Sequence, residues 1–204
     1  MTAPPPVPRL ILASASPRRA ELLTRLGLSF QVVPSNLPED VREEEEPGAH
    51  AEGLSREKAR AVAVGYPRDL VVAGDTVVVR DGELLGKPRD ADEAVAMLRS
   101  LEGRSHRVVS GLALAAPGRR IYSGSLTTEV TFRSYDEEWA RRYVATGEPM
   151  DKAGAYGIQG LGSALVKSIR GDYHTVMGLP LPLFLDLLRE AGWRYEFGRL
   201  VALP

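Results

Sequence analysis

LILASASPRRAELLTRLGLSF, residues Leu10–Phe30, joins a short continuous apolar run to a helical pattern through two serines. Leu10–Ala13 reads as a buried strand. Ser16 is placed as an N-cap and Pro17 at the favoured first helical position, with Leu22, Leu23 and Leu26 along one face and Gly27 as the stop. Arg18 and Arg19 then fall in the first turn, where the helix dipole already supplies about half a positive charge and added cations are unfavourable. A serine-rich strand-to-helix turn also aims backbone N–H groups at one point, the usual recipe for an anion site. In that setting two guanidinium groups become an asset, since they grip phosphate oxygens as bidentate forks. Pairing of the two arginines with Glu21 or with more distant acidic residues is the equally weighted alternative.

Outward from this segment, Phe30–Pro34 reads as a second short strand. EDVREEEEPGAHAEG (residues 39–53) reads as an exposed, charged, turn-rich loop, and helical spacing returns in LSREKARAVAV (54–64). LVVAGDTVVVRDGELLGKP (70–88) is an apolar strand interrupted by Gly74 and Asp75 and closed by the hairpin signal Asp81-Gly82. Asp90 caps a helix whose third residue is Glu93, with Ala94, Met97, Leu98 and Leu101 facing inward. Residues 106–116 and 120–133 form a long hairpin. A further helix holds Trp139 and Tyr143 one turn apart, as packing residues. DKAGAYGIQGLG carries four glycines in its last nine residues and reads as a loop able to approach something closely. A strand at 164–169, a turn at Gly171-Asp172 and a helix in PLPLFLDLLREAG complete the pattern.

The 204-residue chain suits one large domain, 9–204, preceded by a proline-rich arm, 1–8. Its net charge of −1 gives no global reason to bind nucleic acid, and no strand face is studded with basic and aromatic residues. The absence of cysteine excludes disulfides, thiolate zinc sites and cysteine nucleophiles. With no apolar run of spanning length and no signal-peptide pattern, the expectation is a cytoplasmic protein without a membrane partner. The three histidines lack metal-ligand spacing, and His174 reads as a turn or core residue. No nucleophile elbow, Walker A loop or GxGxxG fingerprint occurs.

Asp75 is the anomaly. A carboxylate inside an apolar run must be paired, metal-bound or titrating abnormally, and a functional role is favoured for it. Thr76, Lys58 and Lys87 read as ordinary strand and surface residues unless the fold brings them to the first loop.

LASASPRRAELL, Glu39 in NLPED, SREKARAVA, GDTVVV, LLGKPRDADEA, DKAGAYGIQGLG and VMGLPL, in this order, resemble the signature of the Maf-like nucleoside triphosphate pyrophosphatases over residues 9–193. The resemblance implies a mixed α/β fold with a curved central sheet flanked by helices, two lobes and a cleft between them, often dimeric, so that a homodimer is expected. It implies cleavage of a nucleoside triphosphate between the α and β phosphates with a divalent metal, Mg or Mn. It makes Asp75 the proton acceptor and lines the phosphate site with Ser14, Arg18, Arg19, Lys58 and Lys87; Asp75 and Glu39 are the residues expected to hold the metal, and the sequence leaves open which of them binds it and which acts on the water. Arg18, Thr76 and Gln159 are similar to the branch acting on dTTP and UTP, with modified pyrimidine nucleotides as further candidates; the 7-methyl-GTP branch carries other residues there. The amide of Gln159 has both a donor and an acceptor for the alternating edge of uracil or thymine. A nucleotide-binding regulator of septation and cell division, with hydrolysis secondary, is the second reading. One departure is local: Ala73-Gly74 reverses the family's usual Gly-Ala before the aspartate.

Overall fold

In the computed structural model, residues 8–37 and 46–204 are described. The N-terminal half runs β1 (Leu10–Leu12), α1 (Pro17–Arg25), β2 (Phe30–Val32), α2 (Pro47–Ala63), β3 (Leu70–Arg80), β4 (Glu83–Leu85) and α3 (Ala91–Leu101). Then follow β5 (Ser105–Ala115), β6 (Ile121–Phe132), α4 (Glu137–Val144), β7 (Val166–Arg170), α5 (Tyr173–Met177), α6 (Leu181–Glu190), β8 (Trp193–Tyr195) and β9 (Leu200–Ala202). Seven strands make one mixed sheet in the order β2-β1-β3-β5-β6-β7, with β4 attached to β3. β1 is parallel to both β2 and β3, and the remaining pairs are antiparallel.

Local chemistry explains most of these elements. Asp81 (φ 51°) and Gly82 (φ 92°) both occupy the left-handed region that a two-residue hairpin requires, so β3 folds back on β4 where the sequence indicated. Asp90 accepts from the Glu93 N–H at 2.8 Å, while the Glu93 carboxylate reaches the Arg89 N–H at 2.7 Å, one residue before the expected reciprocal bond. Ser16 occupies the N-cap of α1, but its side chain makes no cap bond; the Ser14 hydroxyl accepts from the Ser16 N–H instead.

The loop expected through Gly53 is corrected. α2 begins at Pro47, capped by the Glu46 carboxylate, which accepts from the N–H groups of Gly48 and Ala49. Its glycines suggested a loop, yet they belong to a helix seated tightly on the sheet: a Cβ on Gly111 of β5 would lie 2.2 Å from the Ala51 carbonyl. Small residues on that sheet face, Ala13, Ala73, Ala113 and Ala115, pack against Ala59, Val62 and Ala63 of α2. The opposite face carries larger side chains, Leu12, Val72, Leu112, Leu114 and Phe132, packed with α1, α3, α4 and α6. The terminal β8–β9 hairpin, with Trp193 buried, stands outside the main sheet and was not anticipated. Among the described residues no helix is long and apolar enough to cross a membrane.

Candidate functional site

On one side β3 pairs with β5 from Val71 to Val79. On the other it pairs with β1 only at Leu70–Val72 and with β4 only at Val78–Arg80. Residues 74–77 are left without a neighbouring strand on that side, because β1 turns away into Ser14–Ser16 and α1. Adjacent residues of a strand point to opposite faces, but beside this gap both Asp75 and Thr76 line one cleft, of about 260 Å³. Ser14, Arg18 and Arg19 flank it from the end of β1, and Lys87 flanks it from just beyond β4. Apolar wall is supplied by Val78, Val108, Ile158 and Val176.

Asp75 is 6% exposed and faces Lys58 of α2, itself 4% exposed, with Nζ 2.7 Å from Oδ1. Oδ2 has no hydrogen-bond partner among the described residues. Lys58, expected to line the phosphate site, thus stands behind Asp75 and is not part of the cleft wall. A buried ion pair with one carboxylate oxygen uncommitted at a cleft can hold an oriented water and accept its proton.

The two arginines of α1 have separated. Arg19 is buried and braces the wall: Nε donates to the Gly178 carbonyl (2.7 Å), Nη1 to Ser14 Oγ (2.9 Å) and Nη2 to Thr76 Oγ1 (3.2 Å). Arg19 passes close to Gly74, where a Cβ would lie 3.1 Å from its Nε. Arg18 makes no hydrogen bond or ion pair among the described residues and lines the cleft. Glu21 pairs with Arg25 and accepts from Gln159 Nε2 at 3.1 Å. Gln159 is therefore held at the rim by α1 and does not line the cleft, although Gly157 and Ile158 beside it do. Glu39 lies outside the described residues.

Four residues escaped the sequence reading. Asp151 and Lys152 line the cleft and pair at 2.5 Å. Burial pushes the Asp151 carboxyl up, but Lys152 and the charge of Arg18 outweigh it and hold the group below its ordinary range. The signal was the charged pair directly ahead of the glycine run. Glu148 accepts from Tyr143 Oη and from the N–H groups of Leu161 and Gly162, so the close approach of the glycine loop is to this carboxylate. A Cβ on Gly160 would lie 2.3 Å from Glu148 Oε2. Ser110 contacts Thr76 across strands and had no sequence signal. Of the histidines, His174 sits in the short helix α5, beside Asp172. His106 is buried against Phe132 and bonded to Tyr156 Oη, and burial lowers its pKa to about 4.

The Maf-like protein family model matches residues 9–191. A dTTP/UTP pyrophosphatase of Koribacter versatilis (strain Ellin345) is 48% identical over 183 residues, covering 90% of this chain and 94% of the relative. The protein of the same name from Salmonella typhimurium (strain LT2) is 50% identical over 180 residues, 88% of this chain and 91% of its own. Among solved structures, the Staphylococcus aureus Ham1 protein aligns with 61% of this chain and 71% of its own at a TM-score of 0.43 and 15% identity. The family match spans nearly all the described residues and the relatives align over more than nine-tenths of their own length, so this chain belongs to the Maf-like proteins.

Proposed function

We propose that this protein is a nucleoside triphosphate pyrophosphatase acting on dTTP and UTP. The observation that carries the reading is the buried Lys58–Asp75 pair in the strand gap, facing a cleft flanked by Arg18 and Lys87. Relatives that share about half of its residues bear the name dTTP/UTP pyrophosphatase.

Arg18 from the α1 side and Lys87 from the β4 side meet the phosphate oxygens, and Arg19 holds Ser14 and Thr76 in place on the cleft wall. Lys58 fixes Oδ1 of Asp75 and leaves Oδ2 to take the proton of the attacking water. The water oxygen bonds to phosphorus as the bridging oxygen between the α and β phosphates departs with pyrophosphate. Positioning and charge neutralisation supply most of the catalysis in such transfers.

A divalent cation, Mg or Mn, belongs to this reading, and Oδ2 of Asp75 at the cleft is a described carboxylate oxygen that could meet it. Asp75 and Glu39 are the residues that would hold it. One oxygen of Asp75 cannot bind the ion and take the proton together, so one of these two roles falls to Glu39. When bound, the ion supplies neutralisation of phosphate charge. The reading places the enzyme in the cytoplasm, as a homodimer built on one domain.

The test is a panel of nucleoside triphosphates with Mg or Mn, measuring pyrophosphate against orthophosphate. Pyrophosphate from dTTP and UTP, lost on chelation, is expected. Asp75→Asn should abolish turnover and spare nucleotide binding; full activity in that variant refutes the assignment. Binding without turnover in the unmodified protein would favour the septation-regulator reading, and orthophosphate would indicate a different bond.

A further inference from the structure

Thr76 on β3 and Ser110 on β5 are directly paired across the sheet, and their hydroxyl oxygens lie 2.8 Å apart. Ser110 is fully buried, and its Oγ also lies 2.7 Å from the Thr175 carbonyl of α5. A carbonyl can only accept and a serine hydroxyl has one proton, so that proton belongs to the Thr175 bond. Ser110 must therefore accept from Thr76, which spends the single proton of Thr76. The other contact to Thr76 Oγ1 comes from Arg19 Nη2, a group that can only donate. What Thr76 still has to offer the cleft is one lone pair.

We propose that Ser110 is a positioning residue that fixes the Thr76 hydroxyl as a hydrogen-bond acceptor toward the cleft, so that the substrate group read there is a donor. A phosphate oxygen at pH 7 is an acceptor and gains nothing at this oxygen. The matching group is an N–H of the base or a hydroxyl of the sugar, which assigns Thr76 to the nucleoside end of the substrate. This rests on the pyrophosphatase reading above. The relay also ties α1, β3, β5 and α5 into one wall, so the orientation of the hydroxyl does not relax when the cleft is empty.

Ser110→Ala removes the acceptor and frees the Thr76 proton to turn into the cleft. The experiment measures kcat/KM for UTP, CTP and 3′-deoxy-UTP in the unmodified enzyme, Ser110→Ala, Thr76→Val and the double variant. If a base N–H is read, preference for UTP over CTP should fall at least about fivefold in Ser110→Ala. If a sugar hydroxyl is read, preference over 3′-deoxy-UTP should fall instead. In the Thr76→Val background, Ser110→Ala should leave both ratios unchanged. A uniform loss on all three substrates, or the same ratio shift without Thr76, overturns the proposal and leaves Ser110 a packing residue. Ser110→Cys, of similar volume and a weaker partner, gives an intermediate ratio and serves if the alanine variant fails to fold. No turnover of any pyrimidine triphosphate by the unmodified enzyme is a different failure, that of the pyrophosphatase reading itself.

Discussion

Replacing Lys58 of α2 by Met keeps the aliphatic stem and removes the charge, so the Lys58–Asp75 bond is lost. Both residues are nearly buried and the bond is 2.7 Å long, so the variant strands a carboxylate in a site built for an ion pair. Breaking one side of such a pair typically costs about 3–5 kcal/mol. Asp75 borders a cleft that water can enter, so the lower end, about 3 kcal/mol, is expected. In a chain of this length each kcal/mol moves the melting temperature by roughly 2–4 °C, giving a fall of roughly 6–12 °C. Adding Asp75→Asn removes the stranded charge and should recover about half of that loss. The assay is urea and thermal unfolding at pH 7, followed by the fluorescence of Trp139 and Trp193. A fall below about 2 °C, or a double variant no more stable than Lys58→Met, would show that the pair does not carry the energy its burial implies.

Burial holds His106 at about 4. From the ordinary value near 6.5 down to that point the unfolded chain takes up a proton that the folded one refuses, so stability falls as pH falls through this window. Between pH 7 and pH 4.5 this residue alone should account for roughly 2–3 kcal/mol, lost from the pH dependence in His106→Gln; equal slopes in the two proteins would disprove it. Gly111→Ala places a Cβ against the backbone of Ala51 and Glu52, so α2 must lift, costing about 3 kcal/mol and lowering turnover through Lys58. Gly53→Ala in the same helix meets nothing within 4 Å and should instead stabilise by about 0.5–1 kcal/mol. Melting curves of the two variants in parallel check the contrast, and similar losses in both would contradict the close seating of α2.

The sequence by itself settled what depends on neighbours along the chain. The proline start of α1, the Asp81-Gly82 turn and the Asp90 cap are local backbone and hydrogen-bond preferences that need no distant partner. Motif order across residues 9–193 likewise pointed to the family that the match over residues 9–191 shows. Where glycines broke the helical pattern, at the start of α2, the local signal failed, because contact with β5 and β6 outweighed propensity. Only the tertiary structure decided which arginine braces and which faces the cleft, that Lys58 belongs to Asp75, and that Gln159 is held by Glu21. It also decided that Asp75 and Thr76, on opposite faces of one strand, share a cleft. That follows from where β1 and β4 stop pairing with β3: the β4 limit belongs to the local Asp81-Gly82 hairpin, but the point at which β1, far along the chain, leaves β3 is not written in the residues between Gly74 and Val77.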